Sequence, residues 1–195
     1  MEKKVLMLDC TLRDGGYVND WDFGHSTITG IYKRLEAAGA DYIEVGFLDD
    51  RREFDINRSI MPSTEAINKI FGSVKKGKAI PVAMIDFGTC SLDSIGSCDS
   101  TFIDGIRVIF KKEKIDQALP FCKAIKEKGY KLFIQAISIT AYSDIEMLEY
   151  VNRINEIKPY AFSIVDTYGL LDNSSMARYL SLIHISEPTR LRCIS

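Results

Sequence analysis

Leu8-Asp9-Cys10-Thr11-Leu12-Arg13-Asp14-Gly15-Gly16-Tyr17 is the stretch on which the fold turns. It closes an aliphatic run, Val5–Leu8, that reads as a strand, and it puts an adjacent cation and anion into a tight glycine loop at the strand's end. Strand-like runs that carry polar residues recur down the chain, at Tyr42–Val45, Ala79–Ile85, Phe102–Ile109, Leu132–Ile137 and Phe162–Val165. Glu44 sits in the second of the six, Asp86 follows the third, Arg107 lies in the fourth, Gln135 in the fifth, and Asp166 follows the sixth. Apolar residues at helical spacing lie between them: Ile28, Ile31, Leu35; Ile67, Ile70, Phe71; Ile115, Ala118, Leu119, Cys122, Ile125; Ile145, Leu148, Val151. Ser143-Asp144-Ile145-Glu146 reads as a capping box that opens a helix, and Gly39 and Gly129 each close one.

Strand and helix alternation predicts a parallel sheet covered by helices. An open doubly wound sheet needs polar groups mainly at its switch point, whereas a closed barrel gathers every strand end at one mouth. Polar residues at all six strands, with no glycine-rich dinucleotide fingerprint and no Walker-type phosphate loop, favour an α/β fold of the TIM (β/α)8 type. Strand starts near residues 5 and 161 bracket five units of about 31 residues, so eight units would need roughly 250. The expectation is a barrel truncated to about six βα units, its sixth helix beginning at Asn173–Tyr179.

Residues 1–179 are therefore read as the N-terminal portion of a barrel. The stretch Leu180-Ser-Leu-Ile-His-Ile-Ser-Glu-Pro-Thr-Arg190 resembles the translation of a transposon-end adapter used to build sequencing libraries. Residues 180–195 are accordingly expected to be a non-native tail; the alternative is an ordinary short helix stopped at Pro188. Resequencing the source locus decides between them.

The totals narrow the function. At 195 residues, 46% hydrophobic and 27% charged, the chain is long enough for one domain with a real core. A net charge of −2 with interspersed signs gives no basic stripe, so no nucleic-acid partner and no membrane surface are expected. Met1-Glu2-Lys3-Lys4 leads straight into a strand-like run, which reads as no signal peptide. Cys10, Cys90, Cys98, Cys122 and Cys193 have no Cys-x-x-Cys spacing and fit a reducing cytoplasm.

At the first strand end, the Asp14 carboxylate is a hard oxygen ligand suited to Mg²⁺ or Mn²⁺, and the Arg13 guanidinium is suited to a developing enolate. A plain surface ion pair is the competing reading, and on physics alone the two stand level. Thr11-Leu12-Arg13-Asp14-Gly15, together with Glu44-Val45-Gly46, resembles the DRE-TIM metallolyases, the superfamily of 4-hydroxy-2-oxovalerate aldolase, hydroxymethylglutaryl-CoA lyase and the isopropylmalate and homocitrate synthases. Asp9 to Phe23 is most similar to the 4-hydroxy-2-oxovalerate aldolase-like branch, and Ile106-Arg107-Val108 and Val165-Asp166-Thr167-Tyr168-Gly169 follow in the order that the family has them.

The resemblance implies Asp14 as a metal ligand for Mn²⁺ or Mg²⁺, Arg13 as the residue that steadies the enolate, and Glu44 as the third member of the signature. Glu44 is equally readable as the buried partner that holds Arg13 in place. Asp166 and Thr167 are expected to support the site. Arg107 and Gln135 are open between substrate contact and an interior polar network. Two departures stand out. The family's other metal ligands, a His-x-His pair on the seventh strand, have no match, since the two histidines here are His25, read as a cap or surface residue, and His184. Tyr17 stands where characterised aldolases of this type carry a catalytic histidine. With an ordinary pKa near 10 it is a poor base at neutral pH, suited to positioning a substrate hydroxyl or acting through its own.

The implied activity is a divalent-metal-dependent aldolase that cleaves a 4-hydroxy-2-oxo acid to pyruvate and an aldehyde, a carbon–carbon lyase acting on a small-molecule 2-oxo acid. The rivals are an acyl-CoA condensing enzyme or lyase of the same superfamily, and a non-catalytic truncated fragment. The resemblance leaves room for a homo-oligomer or a partner dehydrogenase in the intact protein. Truncation predicts open strand edges and weak metal binding. The long loop Phe47–Met61 is open between a cover for the site and a solvated charged loop.

Overall fold

The computed structural model describes residues 5–185. Seven strands form one all-parallel sheet: β1 (Leu8–Asp9), β2 (Tyr42–Leu48), β3 (Ile60–Met61), β4 (Ile80–Asp86), β5 (Gly105–Phe110), β6 (Lys131–Ala136) and β7 (Ala161–Ile164). The order is β1-β2-β4-β5-β6-β7, with the two-residue β3 paired to the end of β2. Five helices accompany them: α1 (His25–Ala38), α2 (Thr64–Phe71), α3 (Ile115–Glu127), α4 (Asp144–Ile157) and α5 (Asn173–Ile185).

The sheet is a half-barrel. Tyr42 on β2 and Tyr160, just before β7, bring their hydroxyls to 3.0 Å. A flat sheet would set those strands about 19 Å apart, at roughly 4.8 Å per strand step. Side chains alternate two by two along each strand and fill the concave interior in layers. At the base lie Tyr42, Val82, Phe133 and Ala161. Glu44, Arg107 and Gln135, two residues further along their strands, form a buried polar layer. Trp21, Phe47, Ile60 and Met84 cap it. The opposite parity (Ile43, Val45, Ala83, Ile85, Ile106, Val108, Leu132, Ile134) faces the helices in the main core.

Glu44 and Phe47 share the interior although they are three positions apart, which strict alternation forbids. The pairing of β2 with β4 slips between these two positions, as a bulge requires. Gly46 makes the slip feasible: its φ is +152°, and a Cβ there would stand 1.9 Å from the Ser59 carbonyl oxygen.

Most of the predicted elements are present, with several differences. Pairing of the first strand is at Leu8–Asp9 rather than Val5–Leu8, and Val5 and Met7 are exposed. They lie at the outer edge of the sheet, where β1 has a neighbour on one side only. The crossover between β4 and β5 holds no α-helix, only 3₁₀ turns at Leu92–Ser94 and Cys98–Ser100. Its run of Ser, Thr, Asp and Gly bonds its own backbone instead, as in Ser100 Oγ to the Ser97 carbonyl at 2.8 Å. In α4 the buried stripe is Met147, Tyr150, Val151 and Ile154, leaving Ile145 exposed in the first turn behind the capping box formed by Ser143 and Glu146. The helix expected to begin at Asn173–Tyr179 is α5, which runs on through Leu180 to Ile185 with Ile183 buried; Pro188 lies outside the described residues. No described helix is long and apolar enough to cross a membrane.

Candidate active site

The loop after β1 is wound into two single helical turns, Thr11–Asp14 and Gly16–Asn19. Asp9 opens the first: its carboxylate accepts the Thr11 amide at 2.9 Å and the Thr11 hydroxyl at 3.1 Å. This is a local capping role, and no metal-ligand role is assigned to it. The turn carries Leu12 fully into the core, so that Arg13 and Asp14 stand at the mouth. Ser59 ties the turn down by donating to the Leu12 carbonyl at 2.6 Å.

Trp21 holds it from the other side, its indole N–H donating to the Arg13 carbonyl at 2.8 Å. Asp20 and Trp21 both have positive φ, at 52° and 58°, an unusual pair of non-glycine left-handed residues that the packing of the indole must stabilise. Gly16 is the room for that indole, since a Cβ would come within 2.0 Å of it.

Arg13 lies over a buried charge network. Its Nε donates to Glu44 Oε2 at 2.7 Å, and its Nη1 to Asp14 Oδ1 at 2.5 Å. Glu44 is wholly buried, and its second oxygen, Oε1, accepts from Arg107 Nη1 at 2.6 Å. Arg107 in turn donates from Nη2 to Gln135 Oε1 at 2.7 Å and from Nη1 to Cys10 Sγ at 3.5 Å. Four structural elements thus converge: the β1 loop, β2, β5 and β6. Burial works against the charge on Arg13, but the Glu44 carboxylate more than offsets it and holds the guanidinium above its ordinary pKa. Cys10 is pushed up to about 11 by burial, with the Glu44 charge adding to the effect, so it is a neutral thiol at neutral pH.

Asp14 is different: its side chain is 68% exposed, and Arg13 takes one of its oxygens. It fits as one oxygen ligand of a divalent cation. It is not a site by itself, because no group of three His, Cys, Asp or Glu suited to a metal occurs among the described residues.

Tyr17 is also at the mouth, 61% exposed and edge-on to Trp21 with ring centroids 4.8 Å apart. Partial burial raises its pKa further, against the pull of Arg13, so the phenol keeps its proton at neutral pH.

The other sequence candidates make their hydrogen bonds outside this network. Asp166 folds back on its own loop and accepts the Leu170 and Leu171 amides at 2.9 and 3.0 Å, which lowers its pKa. Thr167 accepts the Ser138 amide at 2.8 Å. Asp166 therefore braces backbone after β7, and Thr167 ties that loop to the backbone after β6. His25 sets its Nε2 2.9 Å from the Ile70 carbonyl and ties α1 to α2; of the His184 side chain nothing is described. The charged loop between β2 and β3 clasps the Asp20–Phe23 segment: Arg58 pairs with Asp20, and the Asn57 carbonyl accepts the Phe23 amide at 3.1 Å. Trp21 and the structural importance of Cys10 and Ser59 were not foreseen; these residues carry no local pattern that distinguishes them from core.

A family model described as HMGL-like matches residues 4–193. Oxaloacetate decarboxylase of Mycobacterium tuberculosis is 20% identical over 185 residues, which are 93% of this chain. The chain spans about half (53%) of that relative's length. Among solved structures, the N-terminal domain of a Bacteroides vulgatus protein assigned as an aldolase superimposes with a TM-score of 0.68 at 22% identity, over 97% of this chain and 62% of that one. The HMG-CoA lyase of Brucella melitensis gives 0.69 at 12%, over 95% and 69%. The carboxyl transferase domain (Y628A) of Rhizobium etli pyruvate carboxylase, solved with pyruvate, gives 0.75 at 13%, over 98% and 35%. These structural likenesses are of fold.

Proposed function

The chain belongs to the HMGL-like family of lyases and aldolases, and from that premise we propose that the whole protein is a divalent-metal-dependent aldolase that cleaves a 4-hydroxy-2-oxo acid to pyruvate and an aldehyde. The observation that carries this reading is the Arg13–Asp14 corner. One guanidinium is locked from below by a fully buried carboxylate and stands beside an exposed one.

Asp14 would hold the Mg²⁺ or Mn²⁺ ion from this chain, with the other ligands coming from outside the described residues. When bound, the ion supplies Lewis acidity at the 2-oxo group. Arg13 does the rest of the charge work. Its Nη2 makes no hydrogen bond among the described residues, so it is available to an anionic oxygen. The C3–C4 electron pair passes into the enolate of pyruvate as the 4-hydroxyl gives up its proton and becomes the aldehyde. A fixed guanidinium favours that enolate over the ground-state ketone, and C3 is then protonated. Tyr17, protonated at neutral pH, donates a hydrogen bond to the substrate hydroxyl and is not its base. The base lies outside this group of residues.

Continuous detection of pyruvate from 4-hydroxy-2-oxo acids tests the reading on the whole protein. Expected is Mn²⁺- or Mg²⁺-dependent release, abolished by chelation and reduced on the order of 10²-fold or more in Arg13→Lys. No pyruvate from any such substrate, together with thiol release from acetyl-CoA, would transfer the assignment to the acyl-CoA branch. A second reading, decarboxylation of a 2-oxo diacid, has the M. tuberculosis relative behind it. It uses the same enolate and is distinguished by CO₂ release without aldehyde.

A further inference from the structure

Glu44 needs one guanidinium to be neutralised, and Arg13 supplies it. Arg107 is a second, 7% exposed, and its Nε is buried with no hydrogen-bond partner. Both guanidinium groups meet Glu44, and Asp14 balances the second charge from the mouth. An orphaned donor adds a cost that an apolar side chain at residue 107 would avoid. Charge balance alone does not choose an arginine over a lysine at residue 107.

Geometry does. A carboxylate with a single partner offers two equivalent oxygens and is free to turn about its last bond. Arg107 Nη1 fixes Oε1, which commits Oε2 to Arg13 Nε. Arg107 is itself held by Gln135 through Nη2, and the Gln135 amide is held in turn, its Nε2 3.7 Å from Met84 Sδ. A planar fork meets Glu44, Gln135 and Cys10 in fixed directions at once; a lysine is a point charge with rotatable donors and fixes none of them.

We propose that Arg107, braced by Gln135, is a positioning residue that fixes the orientation of Arg13 through Glu44. Its catalytic meaning rests on the role proposed for Arg13, but the test does not. In ¹⁵N spectra of the protein, the Arg13 Nε–H signal, identified by its disappearance in Arg13→Lys, is expected to exchange slowly with solvent. Arg107→Met should speed that exchange tenfold or more, with backbone amides of β4 and β6 away from the substitution unchanged. Arg107→Lys restores the charge but not the fork, and should lose the protection as well. Parent-rate exchange in Arg107→Lys would show that charge alone suffices and would overturn the proposal. Should Arg107→Met not fold, Gln135→Leu decides: a several-fold faster exchange supports the positioning chain, and an unchanged rate overturns it. Because turnover is not measured, failure here is separate from failure of the aldolase reading.

Discussion

Two strand ends of this molecule start from similar chemistry and reach different structures. Arg13 and Asp14 follow β1, and Asp166 and Thr167 follow β7, all polar residues at the same end of a parallel sheet. At the first, Arg13 reaches inward to a carboxylate with no solvent exposure and through it to β5 and β6. At the second, Asp166 spends both oxygens on its own loop. A polar residue at a strand end becomes part of a site when a partner from across the barrel interior is waiting for it; otherwise it caps backbone.

The comparison predicts unequal costs of substitution. Glu44→Leu leaves Arg13 and Arg107 buried without their shared anion, and should cost about 3–5 kcal/mol in urea unfolding. A loss below about 1 kcal/mol would mean that water reaches the layer. Gly16→Ala drives a methyl group into Trp21 and should cost about 1–3 kcal/mol. Because Trp21 is the one tryptophan in the sequence, the same variant should change the native fluorescence maximum. An unchanged spectrum would refute the claim that the indole is what fills the space above Gly16. Asp166→Asn should have the smallest effect of the three and leave the Trp21 emission untouched.

Acidification sharpens the contrast further. Carboxylates held below their ordinary range, Asp166 by backbone amides and Glu146 at about 2 by Lys112 and Ser143, contribute stability that is complete above their unfolded pKa values. It is lost as pH falls through the folded values, so the window for Glu146 runs from about 4.5 down to about 2. Asp166→Asn should therefore flatten the acid limb of a stability–pH curve. An acid limb identical to the parent's would remove Asp166 from that account.

Much of this was legible in the sequence because it rests on periodicity. Strand-like runs at Tyr42–Val45 and Leu132–Ile137 carry Glu44 and Gln135 into the sheet, and the capping box at Ser143 is a local pattern that folds locally. The corner of Arg13, Asp14 and Glu44 was found because loop chemistry and family resemblance pointed to the same residues. What could not be read depends on contacts remote in sequence. Trp21 matters because Gly16 makes room for it and the Arg13 carbonyl awaits it. The bulge at Gly46 needs a residue without a Cβ because the Ser59 carbonyl, which accepts the Phe47 amide at 2.9 Å, lies against it. Ile145 looked like core by spacing but is exposed, whereas Tyr142 and Tyr150, edge to face at 5.5 Å, are buried.

The central claim is that the Arg13 corner stabilises the enolate of pyruvate, and solvent exchange at carbon tests it without knowledge of the aldehyde. Pyruvate would be incubated in D₂O with the whole protein and Mn²⁺, and loss of its methyl proton signal followed by NMR. The account predicts exchange well above the rate with Mn²⁺ alone, falling to that rate in Arg13→Lys. Exchange no faster than the metal blank in the parent protein, or equally fast in Arg13→Lys, would contradict it.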